Sequence, residues 1–374
     1  MQKILFGLCC LIYLPAFAQF NITLRIQAPK DSQGDIFIAG NFNNWNPSDA
    51  SFKLHRAGAG QYSLELKNRH PDMYDFKFTR GSWTSVETTK NGSGINNRVL
   101  NLQSDTTLDI VIENWADNFT QHKIETSASA QVHILDTAFF IPQLNRYRRI
   151  WIYLPAGYEV SKKNYPVWYM QDGQNLFDVK TAPYGEWGID EFLDSAAASM
   201  NNECIIVGID HGGEKRMTEY NPYDTKEFGK GEGKAYVDFL ANTLKPFIDH
   251  HYRTKRKSKY TTIGGSSMGG LISLYAAATY PDVFGNALVF SPAFWLAPQI
   301  KTEMENARWK KQHRFYFYAG GKESKTMITD METVAHITSL HKHTIIFTTT
   351  DAEALHNENA WRKYFPLGYK ALKN

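Results

Sequence analysis

Apolar and polar positions follow two different rhythms along the chain. From Gln19 to Glu113 there is no helical period. Short alternating runs occur instead, at Ile22–Ile26, Ile36–Ala39, Tyr62–Leu66, Tyr74–Phe78 and Leu108–Ile112. Turn clusters such as Asn43-Asn-Trp-Asn-Pro47 and Ala57-Gly-Ala-Gly60 separate them. Strands of this kind predict an all-β, immunoglobulin-like sandwich. A polar stretch without a firm period, 114–130, reads as a linker.

From Gln131 to Asn374 the rhythm changes. Near-continuous apolar runs at Tyr147–Leu154, Tyr165–Met170, Cys204–Ile209, Tyr260–Ile263, Ala287–Phe290, Phe315–Tyr318 and Thr344–Thr348 alternate with helical patterns. The clearest helices are Ile189–Ala198, Gly233–Ile248, Gly269–Thr279 and Ile328–Leu340. Strands apolar on both faces are covered by helices on both sides. The alternation therefore predicts a second, α/β domain with a mostly parallel sheet and right-handed crossovers. Ligands bind such sheets at the carboxyl ends of the strands.

The first residues belong to neither rhythm. Lys3, the apolar run Ile4–Phe17 and the small-residue pattern Ala16-Phe17-Ala18 read as a signal peptide over 1–18, with a mature chain from Gln19. The apolar run is shorter than the ~20 residues of a spanning helix. Cys9 and Cys10 suggest a lipoprotein, but they fall inside the run rather than after it. An exported chain, periplasmic or extracellular and off the membrane after cleavage, is expected. Only Cys204 then remains, in a strand-like run, so it is expected as an inert core residue with no internal disulfide. A net charge of +3 over 374 residues gives no reason to expect a nucleic-acid partner. Aromatic content of 14% is high, and its clusters suit sugars or aryl groups.

Candidate chemistry centres on Tyr260-Thr-Thr-Ile-Gly-Gly-Ser-Ser-Met-Gly-Gly-Leu271. Within it, Gly265-Ser266-Ser267-Met268-Gly269 fits Gly-x-Ser-x-Gly, a strand before it and a helix after it. A serine on so sharp a turn holds a strained backbone, and glycines let neighbouring segments approach. The helix N-terminus behind it favours developing negative charge. Serine needs a base, and the base needs an acid to orient it, in the chain order serine, acid, histidine. His356, in Leu355-His-Asn-Glu-Asn-Ala-Trp361, is the histidine that follows the last strand and is the expected base. Glu323, directly after the run Phe315–Tyr318, is the expected acid, with Asp351 as second choice. An oxyanion hole needs two backbone N–H groups. Met268 supplies one, and the loop Tyr169-Met-Gln-Asp-Gly-Gln-Asn-Leu-Phe177 supplies the other through Gln174, with Asn175 its rival. His250-His251 and His341-Lys-His343 lack a third ligand, so no metal is expected. Neither a phosphate loop nor Gly-x-Gly-x-x-Gly is present, so no cofactor is expected.

Two resemblances extend this reading. Gly40-Asn-Phe-Asn-Asn-Trp45, Tyr74–Phe78, Gly81-Ser-Trp83 and Gly94-Ile-Asn-Asn97 resemble, in that order, a carbohydrate-binding module of the glycogen-binding type. The resemblance implies sugar stacking on Trp45 and Trp83 and a hydrogen bond from Asn97. Lys77 departs from the family lysine by one position, which in a strand changes the face. Met170–Gly173, Trp187–Glu191, Arg216–Pro222, Gly264–Gly270, Gly321-Lys-Glu323 and His356–Trp361 resemble the α/β-hydrolases of the esterase-D type, which include siderophore, feruloyl and acetylxylan esterases. That likeness implies the triad Ser267, Glu323 and His356, with Arg216, Glu219, Tyr220 and Trp295 approaching the substrate. The expectation is a secreted serine esterase acting on polysaccharide-linked feruloyl or acetyl esters. A catecholate trilactone siderophore is the rival substrate, and a non-catalytic glycan-binding protein the rival of another class.

Overall fold

The computed structural model describes residues 19–373 apart from 31, 33, 120–124, 201–202 and 227. The segment 1–18, read as a signal peptide, lies outside the described residues. The chain divides into two compact units, Met1–Lys123 and Ile124–Asn374. No helix among the described residues is long and apolar enough to cross a membrane.

The first unit is built of strands: β1 (Phe20–Gln27), β2 (Phe37–Gly40), β3 (His55–Gly58), β4 (Gln61–Arg69), β5 (Met73–Thr79), β6 (Glu87–Thr88), β7 (Arg98–Asn101), β8 (Thr106–Val111) and β9 (Asn114–Trp115). They form a sheet in the order β3-β4-β1-β8, a second as β2-β5-β7, and the pair β6-β9. Alternation sets which side chains go inward. Along β5, Tyr74, Phe76 and Phe78 are buried while Met73, Asp75 and Lys77 take the other face. Residues of both larger sheets, among them Ile22, Leu24, Ile38, Leu64 and Phe76, share one buried cluster. The strands not foreseen, β3, β6, β7 and β9, run only two to four residues, too short for a periodic signal.

The stretch 114–130 is not a plain linker. Trp115 is fully buried in the first unit, and its indole N–H donates to Ser32 Oγ at 2.8 Å. Thr126 Oγ1 donates to Asp178 Oδ2 (2.8 Å), Ser127 Oγ to Glu186 Oε2 (2.7 Å), and the Ser129 amide to Asp190 Oδ2 (2.7 Å), all within the second unit. The described part after residue 124 thus donates to buried carboxylates, which composition alone does not reveal.

The second unit holds β10 (Val132–Ile141), β11 (Arg146–Tyr153), β12 (Val167–Gln171), β13 (Ile205–Ile209), β14 (Thr261–Ser266), β15 (Asn286–Phe290), β16 (His313–Gly320) and β17 (Thr344–Asp351). The helices are α1 (Ile189–Met200), α2 (Arg216–Glu219), α3 (Gly233–Phe239), α4 (Lys245–His251), α5 (Met268–Thr279), α6 (Ile300–Asn306), α7 (Met327–Ser339) and α8 (Glu358–Leu372). Strand order is β10-β11-β13-β12-β14-β15-β16-β17. The β10–β11 and β11–β13 pairs are antiparallel and the rest parallel. This is the mostly parallel, helix-covered sheet that the α/β-hydrolase expectation requires. Strands β12 to β15 are buried at every position, as expected of central strands covered on both faces. β10 was not foreseen because it is an irregular edge strand with two register shifts and few buried side chains.

Candidate active site

β14 lies between β12 and β15, so the loops after β12 and β14 emerge side by side at the carboxyl edge of the sheet. Ser267 sits between β14 and α5 with φ 58° and ψ −122°. Non-glycine residues avoid this region, and holding one there costs of order 1–3 kcal/mol. The surrounding bonds fix it. Its N–H donates to the Phe290 carbonyl at 2.9 Å, and its own carbonyl accepts from Leu271 and Ala293, each at 3.1 Å. From Thr261 to Gly270 every residue is buried except Ser267, which is half-buried. The two motif glycines are required by close approach: a Cβ at Gly265 would lie 2.8 Å from Gln171 Cβ, and one at Gly269 would lie 3.0 Å from it.

Glu323 and His356 come from the loops after β16 and β17. Gly320 pairs level with Asp351, so the two loops leave the sheet at the same height. The Gly321 N–H donates to the Asp351 carbonyl (2.8 Å) and the Lys322 N–H to the Ala354 carbonyl (3.0 Å). The Asn357 side chain caps α8 by accepting from the Ala360 N–H at 3.1 Å, which sets His356 just ahead of the helix. In this frame Glu323 Oε2 lies 2.8 Å from His356 Nδ1, and the Glu323 side chain is fully buried. The rival acid, Asp351, is occupied elsewhere. It accepts from Tyr364 (2.7 Å) and Lys363 (2.9 Å), which with the Glu353 amide hold its pKa down at about 2.

The loop pairing depends on glycine. A Cβ at Gly320 would stand 2.5 Å from the Ala354 carbonyl oxygen and 2.8 Å from Glu323 Oε1. Gly320→Ala is therefore expected to push the two loops apart and lower kcat on a simple ester by ~100-fold, the scale set by a displacement of about 1 Å at a reacting centre. Steady-state kinetics beside a circular dichroism spectrum would check this; a folded variant with undiminished kcat would refute it.

Sequence reasoning missed the other side of the acid. Ser291, at φ 44° just past β15, donates its hydroxyl to Glu323 Oε1 at 2.6 Å. The Gly320 N–H donates to the same oxygen at 2.6 Å, and the Trp361 indole N–H donates to Ser291 Oγ at 2.9 Å. The Trp361 ring meets the His356 ring edge-on, centroids 5.1 Å apart. In the sequence, a Ser-Pro pair right after a strand was the available signal for Ser291.

The loop after β12 carries the second oxyanion candidate. Asp172 turns with φ 56°, and Gly173 packs so tightly on β13 that a Cβ would lie 2.7 Å from the Gly208 carbonyl carbon. The Asn175 N–H is already donated to the Asp172 carbonyl at 2.9 Å. The Gln174 N–H takes no backbone carbonyl among the described residues, which favours Gln174 over its neighbour. Met268 opens α5, where N–H groups lack intrahelical acceptors.

The four residues implied as substrate contacts separate into two groups. Arg216 is partly exposed, but it makes a two-pronged pair with Asp172: Nε to Oδ1 at 2.7 Å and Nη2 to Oδ2 at 2.9 Å. Trp295 is 61% exposed, two residues beyond the bond from Ala293 to Ser267. Glu219 and Tyr220 are fully buried and do not line a surface. Glu219 accepts from Arg146 and Arg148 at 2.7–2.8 Å, and the Tyr220 hydroxyl accepts from the Asp172 N–H at 3.3 Å. Both brace the site from behind. Glu358, unforeseen, lies close by, and burial pushes its carboxyl up to about 7. Among the described residues no cluster of three or more His, Cys, Asp or Glu could hold a metal ion.

In the first unit, the Trp45 and Trp83 rings approach to 6.2 Å at an interplanar angle of 42°, both half-buried. Asn97 is half-buried as well.

The family described as "Putative esterase" matches residues 141–367. Among curated relatives, uncharacterized protein YjcH of Bacillus subtilis is 27% identical over 64% of this chain and 96% of its own length. An endo-1,4-beta-xylanase/feruloyl esterase of Xylanibacter ruminicola is 24% identical over 45% of this chain and 23% of its own length. The iron(III) salmochelin esterase of Escherichia coli is 27% identical over 44% and 41%. Among solved structures, the enterobactin esterase of Shigella flexneri matches with a TM-score of 0.56 at 14% identity, covering 94% of this chain and 92% of that one.

Proposed function

The chain belongs to this esterase family and is a carboxylic ester hydrolase, and from that premise we propose that it works through a covalent acyl-enzyme with Ser267 as nucleophile. His356 Nε2 takes the Ser267 proton as Oγ attacks the ester carbonyl, then returns it to the departing alcohol. Water, deprotonated by the same imidazole, releases the acid. Glu323 holds the Nδ1 proton, so that Nε2 is the basic nitrogen, and stabilises the imidazolium. The Met268 and Gln174 amides receive the oxyanion. The observation that carries this reading is the 2.8 Å contact between Glu323 Oε2 and His356 Nδ1, at the strand edge where Ser267 holds its strained turn.

Two substrate classes compete. A feruloyl or acetyl ester on a polysaccharide is favoured by the neighbouring indoles of Trp45 and Trp83, two half-exposed aromatic faces of the kind sugars stack on. On this reading the first unit is an immunoglobulin-like, glycogen-binding-type module that raises the local concentration of polymer-bound ester, and residues 1–18 export the chain to the periplasm or beyond. An anionic catecholate trilactone is favoured by the likeness in fold to an enterobactin esterase over 94% of the chain. Against it, the obvious cation, Arg216, is already neutralised by Asp172. Comparing kcat/KM on methyl ferulate, an acetylated xylan and a catecholate trilactone decides between them. Turnover of the plant-type esters well above the trilactone is expected. Trp45→Ala is expected to slow release of acetate from insoluble xylan several-fold more than from a soluble ester. The reverse substrate order, or an insoluble substrate indifferent to Trp45, would sink the carbohydrate-ester reading.

A further inference from the structure

Glu358 stands in the first turn of α8, two residues after His356, and is only 7% exposed. No lysine or arginine pairs with it among the described residues. It is not needed as a cap, because Asn357 already fills that role. A glutamate in a first turn gains from the helix dipole just as well at the surface, without the cost of burial. Its surroundings come from several elements. Asn175 Nδ2, in the loop after β12, donates to Glu358 Oε1 at 3.4 Å. Gly185 lies against it, a Cβ there being 3.7 Å from Glu358 Cβ. The charges of Asp172 and Arg216 reach it from the nucleophile side, that of His356 from its own loop, and its own charge acts on the Tyr184 phenol. Burial, the largest influence, keeps the carboxyl protonated to about pH 7. The other end of the Asn175 amide, Oδ1, is buried with no hydrogen-bond partner among the described residues. A buried acceptor left in that condition is destabilising unless something supplies it with a donor.

We infer that Glu358 and Asn175 form a hydroxyl-recognition subsite beside the reacting centre, which reads a hydroxyl carried close to the scissile ester by a sugar or a catechol. A hydroxyl both donates and accepts. Its proton goes to Asn175 Oδ1 and its oxygen accepts from the neutral Glu358 carboxyl. A simple alkyl or aryl ester offers neither and leaves both groups unmatched. A site built on such polar groups discriminates more strongly than an apolar pocket does. The inference rests on the reading of Ser267 and His356 as the catalytic pair, because their position makes the neighbourhood of Glu358 the place where substrate sits.

The test compares matched esters with and without a hydroxyl beside the ester: catechol monoacetate against phenyl acetate, and monoacetylated xylobiose against cyclohexyl acetate. In the wild-type enzyme kcat/KM favours at least one hydroxylated member, and the pair that shows it identifies the catechol or the sugar as the source. Glu358→Leu is expected to collapse that ratio by roughly 10- to 100-fold, the worth of one or two hydrogen bonds in a buried site. Glu358→Gln keeps a donor and an acceptor and should retain most of it. The wild-type ratio should fall as pH rises through about 7, where the carboxyl loses the proton it donates, while the ratio for Glu358→Gln stays flat. Should Glu358→Leu fail to fold, the flat profile of Glu358→Gln decides. Equal losses on both members of each pair, or a wild-type ratio that ignores pH, overturn the inference and leave Glu358 a structural residue. Esterase activity surviving in Ser267→Ala would remove the underlying reading instead.

Discussion

Ser267→Ala is expected to lower kcat/KM for p-nitrophenyl acetate by on the order of 10⁶-fold, the scale seen when a serine hydrolase loses its nucleophile. The substitution removes one oxygen and little else. The Ser267 backbone is held by Phe290, Leu271 and Ala293, and none of those bonds uses the side chain. Its φ of 58° is strained for serine and equally strained for alanine. Stability should therefore change little, and lost activity cannot be charged to unfolding. Glycine makes the sharper control. Ser267→Gly relieves the left-handed strain and should unfold later by ~1 kcal/mol while being just as inactive. Denaturant midpoints and initial rates on the three proteins suffice. Wild-type rates in Ser267→Ala would remove the acyl-enzyme mechanism and every role assigned around it.

The sequence was legible where chemistry follows chain order and strand ends. Gly-x-Ser-x-Gly after a strand marks Ser267. A loop after the penultimate strand and a loop after the last mark Glu323 and His356, which the fold brings to 2.8 Å. Illegible were the residues whose role arises across elements. Ser291 and Trp361 lie 70 positions apart, yet their hydrogen bond completes the support of Glu323. Asp172 neutralises Arg216 because the two loops that carry them meet beside the nucleophile, a contact 44 positions long. Glu358 reads from sequence as an ordinary first-turn glutamate, and only burial makes it unusual. Resemblance misplaced Glu219 and Tyr220 for the converse reason. Proximity in sequence to Arg216 does not say which face of a four-residue helix looks outward, and two arginines draw Glu219 inward. Trp45 and Trp83 stand well apart in the sequence, and their ring-to-ring approach of 6.2 Å needed the fold to appear.

Glu323→Gln is the second large expected effect, and its direction follows from which oxygen each donor holds. Glu323 Oε1 accepts from the Gly320 backbone N–H and the Ser291 hydroxyl, both at 2.6 Å, while Oε2 faces His356 Nδ1. A glutamine must place its amide NH2 on one side and its carbonyl on the other. The backbone N–H of Gly320 cannot become an acceptor, so the carbonyl is kept there and the NH2 turns to His356. Nδ1 must then accept, which forces the ring proton onto Nε2, the nitrogen that takes the serine proton in the proposed mechanism. The geometry survives and the tautomer is wrong. Activity should fall by ~10⁴-fold, as it does when the orienting acid of a serine-protease triad becomes an amide. Nitrogen NMR of the His356 ring in Glu323→Gln should report a protonated Nε2 and an accepting Nδ1. An unchanged tautomer together with near-normal kcat would show that His356 takes its orientation from something other than Glu323.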